Sequence, residues 1–296
     1  MDKYLIINAD DFGMCFAHNE ATLELFKCGG ISSATVMMPC KAAAQAVDIA
    51  KNNPQFAVGV HLTTTSEWAN YRWGPVLGKN VPSLADDDGY FYHESDEFAN
   101  HASLEEAVNE LVAQIEAMRA LGYQPSHLDN HMGSMYGVAT CRFELLMALI
   151  SIAGKYKLPL RLPINITAKD LNNKMLDIKI PPDDIQSLLD NVKTIAKEND
   201  VALIDYLCPG DWNGPQRNSF KEYEDYMLTL ISSFEPGVTE TYIHPAVECD
   251  EIKSITKSWE RRVWEYKLFS SPKLKQHIDS LGIKLISYRD LKEIKG

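Results

Sequence analysis

The sequence has no CxxC pair, no long apolar run and no concentration of positive charge, and each absence removes a class of protein. Its six cysteines, Cys15, Cys28, Cys40, Cys141, Cys208 and Cys249, are scattered through 296 residues. A chain of this length buries a large core without covalent staples, so reduced thiols are expected. The longest nearly apolar stretch, residues 145–154, is too short to span a bilayer. The opening MDKYLIINADDFG lacks the basic and long apolar regions of a secretory signal, which points to a cytoplasmic protein with no membrane partner. Lys and Arg number 29 against 41 Asp and Glu, a formal net charge of −12. Phosphate recognition needs clustered positive charge, so a nucleic-acid partner is disfavoured. The dense basic pairs, Lys273 with Lys275 and Arg261 with Arg262, lie among acids and read as solvated helix faces.

What is present is ordinary globular composition, 45% apolar and 24% charged. Short apolar and β-branched runs at 4–9, 33–38, 57–62, 126–130, 159–163, 201–207, 240–244 and 284–288 read as strands. Near-continuous apolar strands suit a parallel sheet buried on both faces. Helical patterns fill the gaps. Residues 17–28 stop at Gly29-Gly30, and 41–52 stop before Pro54. Ser103 and Glu106 form a capping-box signature for a helix running through Leu104, Val108, Leu111, Ile115 and Met118 to Gly122. Further helices are expected at 142–156, 183–199, 220–234 and 255–281. This alternation, with no interdomain linker, predicts an α/β fold. Its expected form is a single distorted TIM-like β/α barrel spanning 1–296.

One segment breaks the rhythm. Residues 63–101 show no helical period but carry turns and many aromatics, Trp68, Tyr71, Trp73, Tyr90, Phe91 and Tyr92 among them. So long an irregular excursion, too aromatic for disorder, reads as an insertion after the third strand that forms a lid or binds substrate.

Polar residues able to do chemistry fall at strand ends: Asp10 and Asp11, His61, Asp129 and His131, Arg161, Asp211 and His244. In a parallel barrel those ends share one rim, where active sites of this architecture lie. Each has a plain structural reading. Asp10-Asp11 resembles turn or cap chemistry, His61 a hydrogen-bonded buried imidazole, and Arg161 an ion-pair partner. The pair His127 and His131 lies on strand then loop, where i, i+4 spacing does not bring two ligands to one face. Together, however, two imidazoles and a carboxylate on one rim suit a catalytic divalent metal, with a second carboxylate free to act as base.

The motifs NADDFG, GVHL around His61, HLDNH from His127 to His131, and HPA from His244 resemble the YdjC-like carbohydrate deacetylases, relatives of chitooligosaccharide deacetylase. The resemblance runs from the first strand to the last. It implies removal of an acetyl group from an N-acetylated sugar, with metal ligands Asp11, His61 and His131. It further implies Asp10 as general base and His244 as the acid that protonates the departing amine. The implied metal is Mg2+, while the ligand types also suit Zn2+. Arg161 either orients Asp10 or holds substrate. Trp73 and Trp212, with Trp68, are the loop aromatics placed to stack on sugar, whereas Trp259 and Trp264 sit at helical spacing and read as core. Family members often continue the HLDNH segment with further histidines. Here Met132, Gly133 and Ser134 stand in their place, so the sugar pocket is expected to differ. Two competing readings are a glycoside hydrolase pairing Asp10 or Asp11 with Asp129, and a sugar-binding protein without turnover. Oligomeric state is open, a homodimer being common among enzymes of this size.

Overall fold

The computed structural model describes residues 2–137, 140–174, 176, 178 and 180–295. Its strands are β1 (Lys3–Phe12), β2 (Ser33–Val36), β3 (Ala57–Leu62), β4 (Leu128–Asn130), β5 (Leu160–Pro163), β6 (Leu203–Ile204), β7 (Tyr206–Leu207), β8 (Gly237–Ile243) and β9 (Lys284–Leu285). The pairings are parallel, in the order β6-β5-β4-β3-β2-β1-β8-β7. The run 201–207, expected as one strand, is therefore two. Leu203 pairs with Leu160 of β5, and three residues later Tyr206 pairs with Thr239 of β8. Stagger displaces the two pairings along one extended run, and that run closes a nearly complete barrel. The strand expected at 284–288 is shorter, pairing only with Tyr4 and Leu5 of β1 before a helix starts at Tyr288.

Helices cover the outside: Phe16–Cys28, Ala43–Asn52, Leu104–Ala120, Phe143–Tyr156, Pro182–Glu198 and Phe220–Ser232 match the expected gaps. The first ends as its sequence requires, with Gly29 left-handed at φ 73° and Gly30 N–H returning to the Leu25 carbonyl at 2.8 Å. Two expectations fail. The stretch 255–281 is not continuous but divides into Asp250–Ile255, Trp259–Phe269 and Pro272–Ser280. Pro272 inside a helix would delete a backbone bond, so the chain restarts there with the Ser271 side chain accepting from Lys273 N–H. Nor does the Ser103/Glu106 capping box form. Glu106 instead accepts from both the backbone N–H and the hydroxyl of Ser83, each at 2.8 Å, leaving Ser103 without a side-chain cap bond.

That contact is one of several clamps on the segment between β3 and the helix Leu104–Ala120. Buried Glu110 accepts from Val76 and Leu77 N–H, and Gln114 bonds both the N–H and the carbonyl of Thr63. Trp73, Phe91 and Phe98 of the segment are themselves buried. The segment also contains a helix, Ser95–His101, where none was expected.

Period-two alternation aims the other side of each strand into the barrel, and here that lining is polar: Asn8 and Asp10, Thr35, His61, His127 and Asp129, Arg161 and Glu240 are all buried. Space is tight. A Cβ on Gly59 would stand 2.4 Å from the His127 carbonyl oxygen and 2.7 Å from its Nδ1. Gly59→Ala is accordingly expected to destabilise the fold by about 1–3 kcal/mol through overpacking. Thermal unfolding tests this, and an unchanged midpoint would contradict the close approach.

Candidate active site

Three side chains from separate parts of the chain face one another at the C-terminal rim of the barrel. Asp11 lies at the end of β1 in left-handed backbone, φ 59°, which swings its carboxylate away from the strand's alternation. His61 is the penultimate residue of β3, and His131 follows β4 in a tight turn. Asp11 Oδ1 is 3.6 Å from His61 Nε2 and 3.6 Å from His131 Nδ1, and the two nitrogens are 3.3 Å apart. Tetrahedral ligands about 2.0–2.2 Å from a metal stand roughly 3.3–3.6 Å from each other, so this triangle has the span of a coordination face. Asp11 Oδ1 is buried and lacks a hydrogen-bond partner. A buried carboxylate oxygen without a donor is costly, and a cation is the partner that this one fits.

The atoms behind the triangle fix its direction. His61 Nδ1 lies 2.7 Å from Asp129 Oδ1 and His131 Nε2 lies 3.0 Å from Glu67 Oε2, leaving the other ring nitrogen of each to face inward. Arg262 Nη1 donates to Asp11 Oδ2 at 3.1 Å, so Oδ1 alone is offered to the centre. Burial pulls the His131 pKa down, but Glu67 and Asp11 outweigh it and carry it up to about 10. Burial pushes Asp11 up and is overcome by His244, His131 and Arg262, which hold it well below the usual carboxylate range. Five carboxylates, Asp10, Asp11, Glu67, Asp129 and Glu240, gather here around two guanidinium groups, Arg161 and Arg262.

Beside the triangle, Asp10 is held rigidly. Arg161 donates from Nη1 to Oδ2 at 2.7 Å and from Nη2 to Oδ1 at 2.6 Å, and Asn8 Nδ2 donates to Oδ1 at 2.8 Å. Oδ2 keeps a lone pair and lies 4.0 Å from His61 Nε2. Burial raises the Asp10 pKa and Arg161 more than reverses it, so the group is ionised near neutrality. At the end of β8, the strand paired with β1, His244 packs edge-on against Tyr242, with ring centroids 5.6 Å apart. Burial holds its pKa below the ordinary imidazole value despite the opposing pull of Asp11. All six of these groups border one cavity of about 640 Å³, together with Glu67, Trp68, Tyr136, Tyr242 and Arg262.

The YdjC-like protein family model matches residues 4–280. The chain belongs to the YdjC-like family. Among its relatives, a carbohydrate deacetylase of Enterococcus faecalis is 31% identical over 293 residues, covering 98% of each chain. A chitooligosaccharide deacetylase of Yersinia enterocolitica is 27% identical over 299 residues, covering 98% of this chain and all of that one. The crystal structure of an Enterococcus faecalis protein, described as a proposed cellobiose-phosphate cleavage protein, superposes with a TM-score of 0.75. It is 27% identical, with 98% of this chain and 99% of that one covered.

Within this YdjC-like barrel the structure brings Asp10, Asp11, His61, His131, Arg161 and His244 to one cavity and leaves other candidates elsewhere. Trp73 is only 4% exposed. Its indole N–H donates to the Thr65 carbonyl at 2.7 Å and its ring lies 6.0 Å from that of His131, so it backs His131 and does not border the cavity. Trp212 packs on Trp264 and Tyr223 beneath Arg261, also off the cavity wall. Trp68 is the tryptophan that borders it. Asp211 accepts from Asn213 within its own loop. Reading Arg261 and Arg262 as solvated faces is corrected. Arg262 is 7% exposed and bonded to Asp11, Arg261 pairs with Glu265, and both border the cavity. His127 points below the rim, where burial drives its pKa down to about 3 and its Nε2 meets Asn8 Oδ1.

Several participants escaped the sequence reading. Asn8 stands two residues before Asp10, and Glu240 stands four before His244, so period-two counting along β1 and β8 would have found them. Glu67, Arg262 and Tyr288 carry no such local signal.

Proposed function

We propose that this YdjC-like chain is a metal-dependent carbohydrate deacetylase that hydrolyses the N-acetyl group of an N-acetylated saccharide, a chitooligosaccharide being the model substrate, and releases acetate. The observation that carries this reading is the Asp11–His61–His131 triangle with an unpartnered inward oxygen, beside the Arg161-held Asp10. The names of the relatives support the substrate class.

A divalent ion on those three ligands would supply Lewis acidity, polarising the acetamide carbonyl and making water acidic enough to deprotonate at neutral pH. Mg2+ is the ion the family resemblance favours, and Zn2+ is the alternative that two imidazoles would accept. The chain's own groups divide the remaining work. Asp10 Oδ2 accepts the proton of the attacking water, its orientation set by the two Arg161 bonds. His244, neutral in the resting protein, takes up the water proton handed on by Asp10 as negative charge builds on the carbonyl oxygen. It then passes that proton to the amine nitrogen as the C–N bond breaks. Trp68 and Tyr242 border the same cavity and supply aromatic surface for sugar, each with one ring face covered by a guanidinium group, Arg262 over Trp68 and Arg161 over Tyr242.

The glycoside-hydrolase alternative needs a second carboxyl facing substrate. Asp129 does not serve, being wholly buried with its oxygens taken by His61, Thr35 and Arg161. Elemental analysis combined with acetate detection on N-acetylglucosamine oligomers tests the proposal. Expected are a bound divalent metal and acetate release that a chelator abolishes and metal restores. Acetate release indifferent to chelator, or sugar release without acetate, would overturn it. Neither product from the metal-loaded protein would favour sugar binding without turnover.

A further inference from the structure

Beneath Asp10 the barrel interior carries a chain of contacts that returns to its starting point. From Asp10 it passes through two bonds to Arg161, whose Nε donates to Glu240 Oε1 at 2.7 Å. The hydroxyl of Tyr288 donates to Glu240 Oε2. The Tyr288 ring lies flat on His127, centroids 3.9 Å apart and planes 8° from parallel. His127 Nε2 lies 3.2 Å from Asn8 Oδ1, and the Asn8 amide nitrogen closes the circuit on Asp10 Oδ1 at 2.8 Å. All six residues are at most 3% exposed.

The chemistry of each link fixes the next. Burial keeps His127 neutral, and Ser126 Oγ lies 2.9 Å from its Nδ1 and can donate there, so the ring proton sits on Nε2 and donates to the Asn8 oxygen. That orients the Asn8 amide with its nitrogen toward Asp10 and Thr35. On the other side, the guanidinium plane of Arg161 is set by Glu240, and Glu240 is set by Tyr288. A planar fork held along one edge presents its other edge to Asp10 in a single orientation.

We propose that Glu240 and Tyr288, acting through Arg161, and His127, acting through Asn8, are with Asn8 the positioning residues that hold the general base Asp10 in its reactive orientation. The proposal rests on Asp10 being that base. It assigns a role to Tyr288, which lies beyond the last strand and touches neither the cavity nor the metal ligands.

Tyr288→Phe keeps the ring stacked on His127 and removes only the hydroxyl. Its kcat for acetate release is expected to fall about tenfold, since small displacements of a catalytic group cost one to two orders of magnitude. KM and metal affinity should stay within about twofold, because the cavity wall and the ligands are untouched. Glu240→Gln should lower kcat in the same manner. Because the two act in series, Tyr288→Phe combined with Glu240→Gln should fall no lower than the worse single variant. A Tyr288→Phe kcat within about twofold of the parent, kcat losses that multiply in the double variant, or a parallel change in KM and metal affinity would each overturn the assignment. If the double variant does not fold, the kcat-against-KM split of Tyr288→Phe alone decides. An unmutated protein that releases no acetate would instead refute the deacetylase reading itself, a separate outcome.

Discussion

Asp10→Asn is expected to cut acetate release by about 10²–10⁴-fold, the usual contribution of a positioned general base, while the metal content of the purified protein stays that of the parent. The two halves of this result follow from different atoms. Asn retains the shape of Asp10 but replaces one oxygen with a nitrogen that cannot accept a proton. It also turns an N–H toward Arg161, which has only donors to offer. The metal triangle, by contrast, is made of Asp11 Oδ1, His61 Nε2 and His131 Nδ1, and Asp10 approaches it no nearer than the 4.0 Å contact with His61. Parallel acetate and elemental assays read both halves. Loss of metal together with activity would place Asp10 among the ligands, and near-normal turnover would remove it from the mechanism.

His131→Ala is expected to abolish turnover and also the thermal stabilisation that metal gives the parent. A ligand at about 100 times its dissociation constant stabilises a folded protein by roughly 2.7 kcal/mol, which raises the unfolding midpoint of a chain this size by about 4 °C. The parent should show that rise on adding Mg2+ or Zn2+ and lose it with chelator. The variant should show none, having lost one corner of the triangle and left Glu67 without its imidazole partner. Thermal scans with and without metal settle the matter without reference to substrate. A variant that keeps the full rise would show that His131 is not a ligand.

The polar residues that meet at the cavity were legible because they lie at or near the ends of otherwise apolar runs, which is where a parallel barrel exposes chemistry. The run 57–62, with His61 one residue from its end, is the same in sequence and structure. What sequence hid was chiefly the product of closure. Arg262 sits four residues after Ser258 on a charged helix, and its neighbour Arg261 does make the i, i+4 pair with Glu265 that a solvated face would show. Only the docking of that helix over the rim turns Arg262 onto Asp11. Trp68 and Trp73 share one loop and similar neighbours, yet one borders the cavity and the other is buried, because loop composition does not say which side of a loop faces inward. The break at Ser271-Pro272 is different in kind. It is a local signal, an N-cap followed by proline, and was readable from those two residues.

The left-handed backbone at Asp11 narrows the routes by which such a protein could lose its chemistry. At φ 59° a β-branched or bulky residue is strained, whereas Gly, Asn and Asp are tolerated, and of those three only Asp brings an anionic oxygen. Replacement by Asn or Gly would therefore silence the proposed metal centre and spare the turn that follows β1. A descendant that abandoned hydrolysis through this position would keep the architecture of its ancestor, and an asparagine or glycine after the first aspartate of the opening motif would mark it.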